Sequence, residues 1–92
     1  FELGQNYPNP FNRRTSFPFG MPETGRVTLD IFDSQGARVT QVVKGKTFQP
    51  GNHIIVWDAS QFASGSYYYR MTIKTDSGGE FTKSKPFTIM NY

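Results

Sequence analysis

Residues 26–33 read RVTLDIFD, and this stretch decides the fold. Apolar side chains fall on every second position, which is typical of a β-strand with one face in a core. Residues 33–36 read DSQG, where Gly36 suits the positive φ that a tight turn needs. Residues 37–43 (ARVTQVV) then return as a second strand. The segment predicts a β-hairpin.

Other segments continue the strand pattern, namely 16–20 (SFPFG), 52–58 (NHIIVWD), 66–75 (SYYYRMTIKT) and 80–90 (EFTKSKPFTIM). Residues 44–51 are expected to form a turn region because they contain Gly45, Pro50 and Gly51. The segments carry no helical period. We therefore predict an all-β fold, an immunoglobulin-like antiparallel β-sandwich of six to seven strands.

The strand at 52–58 is apolar on both faces. His53, Ile55 and Trp57 share one face, whereas Ile54 and Val56 share the other. A strand with apolar side chains on both sides is usually buried on both sides. We expect this strand to be covered by protein on both faces.

Residues 1–15 read FELGQNYPNPFNRRT and show neither a strand nor a helix period. The two prolines remove backbone donors and keep the preceding residues extended. We predict an irregular leader held down by Tyr7 and Phe11, with the sandwich occupying residues 16–92. The first residue is Phe1, so we expect a single domain excised from a larger protein.

Composition excludes several function classes. The 92 residues include no cysteine and a single histidine, so disulfides, Cys-based zinc sites and most histidine-based catalysis are not expected. The formal charge of +3 is spread along the chain and forms no nucleic-acid-binding stripe. No apolar run approaches the ~18 residues that a membrane span needs. We predict no cofactor, no nucleic-acid partner and no membrane insertion.

The polar side chains form no recognisable catalytic pattern. Asp33, Asp58 and Asp76 stand at strand ends, where aspartate usually caps a turn. A calcium site built from these loops stays open as an alternative, although the Asp-x-Asp-x-Asp pattern is absent. We predict that the domain is not an enzyme.

The run Tyr67-Tyr68-Tyr69 raises a second possible function. Exposed flat aromatic rings can stack on sugars, and an accessory carbohydrate-binding β-sandwich of a secreted glycoside-active enzyme is the alternative reading. Strand alternation puts Tyr68 on the face opposite to Tyr67 and Tyr69. At most two of the three rings could therefore share an exposed surface.

The leader carries a specific family resemblance. It resembles the opening of type A C-terminal sorting domains of the type IX secretion system, which read L-x-Q-N-Y-P-N-P-F-N-P-x-T. The matching residues are Gln5, Asn6, Tyr7, Pro8, Asn9, Pro10, Phe11 and Asn12, followed by Thr15. Arg13 stands where the family usually has proline.

The rest of the chain is similar to the same family. The hairpin at 27–39 and the strand at 50–58, which includes Trp57, resemble its V-x-L-x-I-Y-D and A-G-x-H-x-V-x-W-D segments. Gly65, Tyr67 and Tyr69 match its S-G-x-Y-x-Y-R-L strand. The last strand is only loosely similar, and Pro86 is a departure.

The resemblance implies a non-catalytic secretion signal. Family members occur in Bacteroidota and relatives and direct an attached N-terminal cargo across the outer membrane. It implies partners among the type IX outer-membrane proteins, and a sortase-like protease that removes the domain. It also implies transit through the periplasm, followed by a location at the cell surface or outside the cell.

The resemblance also directs attention to the last strand, because the family's C-terminus is important for recognition by the export machinery. A free strand can add to a partner's sheet or dock through its side chains. We expect the translocon contact to involve Lys83, Lys85, Phe87 and Ile89. An ordinary closing strand with solvated lysines is the alternative.

Overall fold

The computed structural model describes residues 1–90. Seven strands follow one another, and no helix interrupts residues 1–90. In chain order they are β1 Glu2–Leu3, β2 Arg14–Met21, β3 Gly25–Asp33, β4 Arg38–Phe48, β5 Gly51–Asp58, β6 Gly65–Thr75 and β7 Glu80–Ile89. The predicted all-β fold is confirmed.

The strands form two antiparallel sheets. Sheet A has the order β1-β2-β5 and sheet B has the order β4-β3-β6-β7. The predicted hairpin is the β3–β4 pair, and its turn closes through a hydrogen bond from Gly36 N to Asp33 O of 3.1 Å. β3 then pairs with β6 along its whole length, from Gly25↔Thr75 to Asp33↔Tyr67. This pair is the centre of sheet B.

The core lies between the two sheets, where the inward positions of each strand meet. Its largest fully buried members are Tyr69, Phe17, Leu29, Ile31, Met71, Ile73, Ile89 and Val27. Alternation in β2 and β6 produces this layer, because every second side chain is buried in β2 and, from Tyr69 onward, in β6. The predicted period of two therefore holds through the centre of the molecule.

Three local predictions were wrong. β4 runs on to Phe48, so the expected turn region at 44–51 shrinks to Gln49 and Pro50. The irregular leader is shorter than predicted, because Glu2–Leu3 pairs with β2 and β2 itself begins at Arg14. Both differences arise because backbone pairing with a neighbouring strand overrides weak local signals.

The third error concerns the outer face of β5. Ile54 and Val56 are 63% and 62% exposed, although coverage on both faces was expected. Sheet A has only three strands and a single partner layer, so nothing in residues 1–90 lies over its outer face. The inward side chains Ile55 and Trp57 are buried as predicted.

Candidate functional site: the leader and the last strand

The leader first runs along β2 and extends sheet A. Gly4 N donates to Pro18 O at 2.9 Å. Tyr7 and Ser16 then exchange two hydrogen bonds of 2.9 Å each, from each backbone N–H to the other's carbonyl. The residues that follow β1 in the chain thus continue its pairing with β2, although their sequence has no strand period.

Asn6 fixes the leader to the core of the sandwich. It is 2% exposed, and its backbone N–H donates to the hydroxyl of Tyr69 at 3.0 Å. That hydroxyl donates in turn to Gly4 O at 2.6 Å. The Asn6 side-chain amide donates to Thr15 Oγ1 at 3.0 Å and to Pro8 O at 3.3 Å. Because every partner is local or buried, this network holds one leader conformation.

Burial raises the pKa of Tyr69 to about 12, and the hydrogen bond from the Asn6 N–H opposes this shift. The ring itself is fully buried against Phe17, with ring centroids 4.7 Å apart. The phenol is therefore neutral at physiological pH and serves as both donor and acceptor.

The leader then crosses to sheet B and bonds to the last strand. Phe11 forms a parallel bridge with Ile89, in which Met90 N donates to Phe11 O at 2.7 Å and Phe11 N donates to Thr88 O at 3.4 Å. The Asn9 side chain accepts from Thr88 N at 3.0 Å. The leader thereby occupies the outer edge of β7 at its C-terminal end.

Gln5 adds a further link, since its side-chain amide donates to Pro86 O at 2.9 Å and to Asn6 Oδ1 at 2.6 Å. The peptide bonds preceding Pro8 and Pro10 are both cis. Residues 2–12 thus close the flank of the sandwich between β2 and β7. We call this the leader flank.

An aromatic cluster lies beneath the leader flank. Phe11 stacks on Phe87 with centroids 5.7 Å apart and meets Trp57 edge-on at 6.3 Å. Phe87 also stacks on Tyr67 at 5.7 Å and meets Phe17 edge-on at 6.2 Å. Such pairs add stability beyond the burial of their area. The family-motif residues Phe11, Trp57 and Tyr67 therefore converge on one side chain of the last strand.

Other motif residues take separate places. Tyr7 is 78% exposed, so the prediction that it holds the leader down was wrong; its backbone makes the contact instead. Pro8, Pro10 and Asn12 are also exposed. Gly65 opens β6 opposite Ile89 with a φ of 155°.

The four side chains expected to contact the translocon differ in exposure. Phe87 and Ile89 are 2% and 0% exposed, so in the folded domain they belong to the core. Lys85 is half-buried and Lys83 is exposed. The Lys83 ammonium group donates to Phe1 O at 3.0 Å and lies 5.4 Å from the centre of the Phe1 ring. Only the two lysines can reach a partner while the domain stays folded.

The tyrosine run does not present a flat platform. Tyr69 is buried, and Tyr67 stacks on Phe87 while its hydroxyl donates to Ala63 O at 2.7 Å. Tyr68 stacks on Phe32 with centroids 4.8 Å apart, and the Arg70 guanidinium lies 4.6 Å from the centre of Phe32. Tyr67 and Tyr69 are therefore engaged within the protein, and Tyr68 has one ring face covered by Phe32.

Two of the three aspartates at strand ends, Asp33 and Asp58, cap turns with their side chains, whereas in the turn at Asp76 the Thr75 hydroxyl accepts from Gly79 N at 2.9 Å. Asp33 Oδ1 accepts from Gln35 N at 2.9 Å and from Ala37 N at 3.0 Å. Asp58 Oδ1 accepts from Ser60 N at 2.9 Å, and this bond lowers the pKa of the Asp58 carboxyl. Within residues 1–90 no group of three potential metal ligands comes together, and no helix could span a membrane.

Comparisons with known proteins agree with this architecture. The chain is similar in fold to the crystal structure of CopC from Methylosinus trichosporium OB3b, with a TM-score of 0.64 and 21% sequence identity; the alignment covers 98% of this chain and 93% of that one. No curated protein matches the chain.

The family comparison covers most of the chain, including the leader motif and five of the strands in full. The profile described as "Secretion system C-terminal sorting domain" matches residues 5–84. Members of this family are C-terminal signals for type IX secretion. They interact with the secretion machinery and direct an N-terminal cargo to the cell surface or the extracellular space. The chain belongs to the C-terminal sorting domains of the type IX secretion system.

Proposed function

We propose that the export machinery recognises this domain in its folded form, at the surface where the leader meets the last strand. The single observation behind this proposal is the set of main-chain bonds that join Phe11 to Thr88 and Met90. They make the leader and the C-terminal strand one surface, although 77 positions separate Phe11 from Thr88 in the sequence. A partner that binds the C-terminal end of β7 would therefore contact the leader as well.

Lys83 and Lys85 are the proposed contact side chains on this surface. Their positive charges suit a negatively charged partner, and long-range attraction would speed the encounter. Phe87 and Ile89 contribute by holding β7 in place rather than by direct contact. The proposed partners are the outer-membrane proteins of the type IX system.

The domain performs no chemistry of its own in this proposal. It folds in the periplasm after the cargo has entered by a separate signal. A sortase-like protease then removes it, and the cargo is released or attached at the surface. Support comes from the engagement of the polar side chains in turns and in the leader network.

The test fuses the chain to the C-terminus of a periplasmic fluorescent reporter in a bacterium with a type IX system. Deletion of the last ten residues would be a poor test, because it removes the buried Phe87 and Ile89 and so disrupts the fold. The double variant Lys83→Gln/Lys85→Gln keeps the core intact. Lys74→Gln, exposed on β6, is the matched control.

We expect the unchanged fusion and the Lys74→Gln control to reach the medium or the cell surface, and the double variant to accumulate in the periplasm. Export of the double variant at the unchanged level would refute the lysine contact. Retention of all three fusions in a host that exports its own cargo would refute recognition of this domain.

A further inference from the structure

The flank opposite the leader has two strand edges. β4 ends sheet B and β5 ends sheet A, and the two strands are joined by the short turn at Gln49 and Pro50. Phe48 and His53 bridge the sheets there, with ring centroids 5.1 Å apart. We call this side of the sandwich the open flank.

The two edges differ in how well they could accept another strand. The pairing of β4 with β3 has three register shifts, and β4 carries Lys44 and Lys46 beside Gly45, whose φ is 59°. Bulges and lysines are features that prevent strand addition. β5 pairs with β2 in unbroken register from Gly51 to Asp58 and contains no lysine, arginine or proline. β5 is therefore the edge that is open to pairing.

The outer face next to this edge is apolar. Ile54 and Val56 point outward at 63% and 62% exposure, and Pro18 lies beside Ile54 on β2. A shallow groove of about 580 Å³ adjoins Ile54 and passes over Gly4 and Gly20. A strand added to β5 could place apolar side chains beside this patch at every second position.

The open flank carries a local excess of basic residues. Residues 34–57 contain Arg38, Lys44 and Lys46 and no acidic residue, whereas the other seven basic residues equal the seven acidic residues of the chain in number. Arg38 lies 3.6 Å from the Asp30 carboxylate and β5 ends in Asp58, so the excess positive charge of this flank rests on Lys44 and Lys46. Lys46 Nζ lies 5.4 Å from the centre of the Phe48 ring, and that ring contacts His53 of β5.

We propose that the open flank is a docking site for an extended, acidic strand of a protein in the export machinery, which pairs with the free edge of β5. Main-chain hydrogen bonds supply the binding, the patch of Ile54 and Val56 receives alternate apolar side chains, and Lys44 and Lys46 select acidic ones. A second copy of this chain fits poorly, because it would bring the lysines of both copies together. The proposal rests on the secretion role and adds a contact distinct from the leader flank.

The test uses the same reporter fusions with substitutions on the open flank. Val56→Lys puts an edge lysine where strand pairing must occur, and Lys44→Glu/Lys46→Glu reverses the local charge. Thr72→Lys is the matched control, because it adds the same charge to the outer face of β6, away from a sheet edge. Thermal unfolding of each purified fusion verifies that it is folded.

We expect export of the Val56→Lys and charge-reversal fusions to fall by about tenfold or more, with Thr72→Lys close to the unchanged fusion. Export of both open-flank variants at the unchanged level would overturn the docking site and leave the secretion role intact. Retention of the unchanged fusion would instead count against the secretion role.

A direct binding measurement tests the chemistry of the partner. The purified domain is titrated with an octapeptide of alternating valine and glutamate, and with its valine–lysine counterpart, while backbone amide resonances are recorded. We expect shifts confined to β4 and β5 with the glutamate peptide alone, weakened by high salt. Equal shifts with both peptides, or shifts centred on another strand, would contradict the proposal.

Discussion

The leader flank and the open flank close the same sandwich in different ways. On the leader flank, residues 2–12 bond to β2 and β7 and cover an aromatic cluster. On the open flank, β4 and β5 end the two sheets, and Ile54 and Val56 remain exposed. The comparison shows that an irregular segment can seal a sheet edge more completely than a regular strand, because it bonds across both sheets.

Removing the ring of Phe11 should produce the largest difference between the flanks. Phe11 is 4% exposed and contacts both Phe87 and Trp57. We expect Phe11→Ala to lower the free energy of unfolding by about 3–5 kcal/mol, because it leaves a cavity in the cluster. Urea denaturation of the purified domain measures this change. A loss below about 1 kcal/mol would mean that the leader contributes little to the fold.

The Tyr69 hydroxyl offers a sharper test of the leader network. Tyr69→Phe keeps the ring in the core but removes the acceptor of the Asn6 N–H and the donor to Gly4 O. We expect the free energy of unfolding to fall by about 1–3 kcal/mol, since a buried N–H loses its partner. Tyr68→Phe is the control, because the Tyr68 ring is half-buried on the outer face.

The same group predicts a dependence on alkaline pH. The folded-state pKa of Tyr69 is about 12, whereas its ordinary value is 10.0. As the pH rises, the unfolded chain therefore loses this proton before the folded chain does. The stabilisation from the protonated Tyr69 hydroxyl is complete below about pH 10 and disappears as the pH rises through about 12. We expect the fall in unfolding free energy over this range to be smaller in Tyr69→Phe. Equal falls in both proteins would contradict the assignment.

Truncation of Val56 on the open flank should have the smallest effect on stability. Its side chain is 62% exposed, so little apolar area returns to solvent when it is removed. We expect Val56→Ala to change the free energy of unfolding by less than about 0.5 kcal/mol. A loss similar to that of Phe11→Ala would show that the outer face of β5 is covered in solution, and the two flanks would then be alike.

The sequence predicts the centre of the sandwich better than its flanks. The β3–β4 hairpin and the inward faces of β5 and β6 follow from alternation, because a period of two is a local property. The exposure of Ile54 and Val56 follows from the number of layers, which alternation cannot reveal. A strand whose apolar outer face is exposed and a strand covered on both faces have the same pattern of apolar residues in sequence.

The candidate site shows the same limit. The leader motif is visible in the sequence, but its partners are distant: Asn6 meets Tyr69, 63 positions away, and Gln5 meets Pro86, 81 positions away. Lys83, Lys85, Phe87 and Ile89 alternate on one face of β7, yet only the last two are buried, because Phe11 and Trp57 cover that end. The burial of each side chain on a strand face depends on which other residues pack over that position.

Native-state hydrogen exchange of backbone amides tests the central claim most directly, namely that the leader is part of the folded domain and is joined to its last strand. The account predicts that the amides of Asn6, Tyr7 and Met90 exchange as slowly as those of the core strand β6, because each donates within the leader flank. Exchange of these three amides at the rate of an unfolded chain, while β6 stays protected, would contradict it.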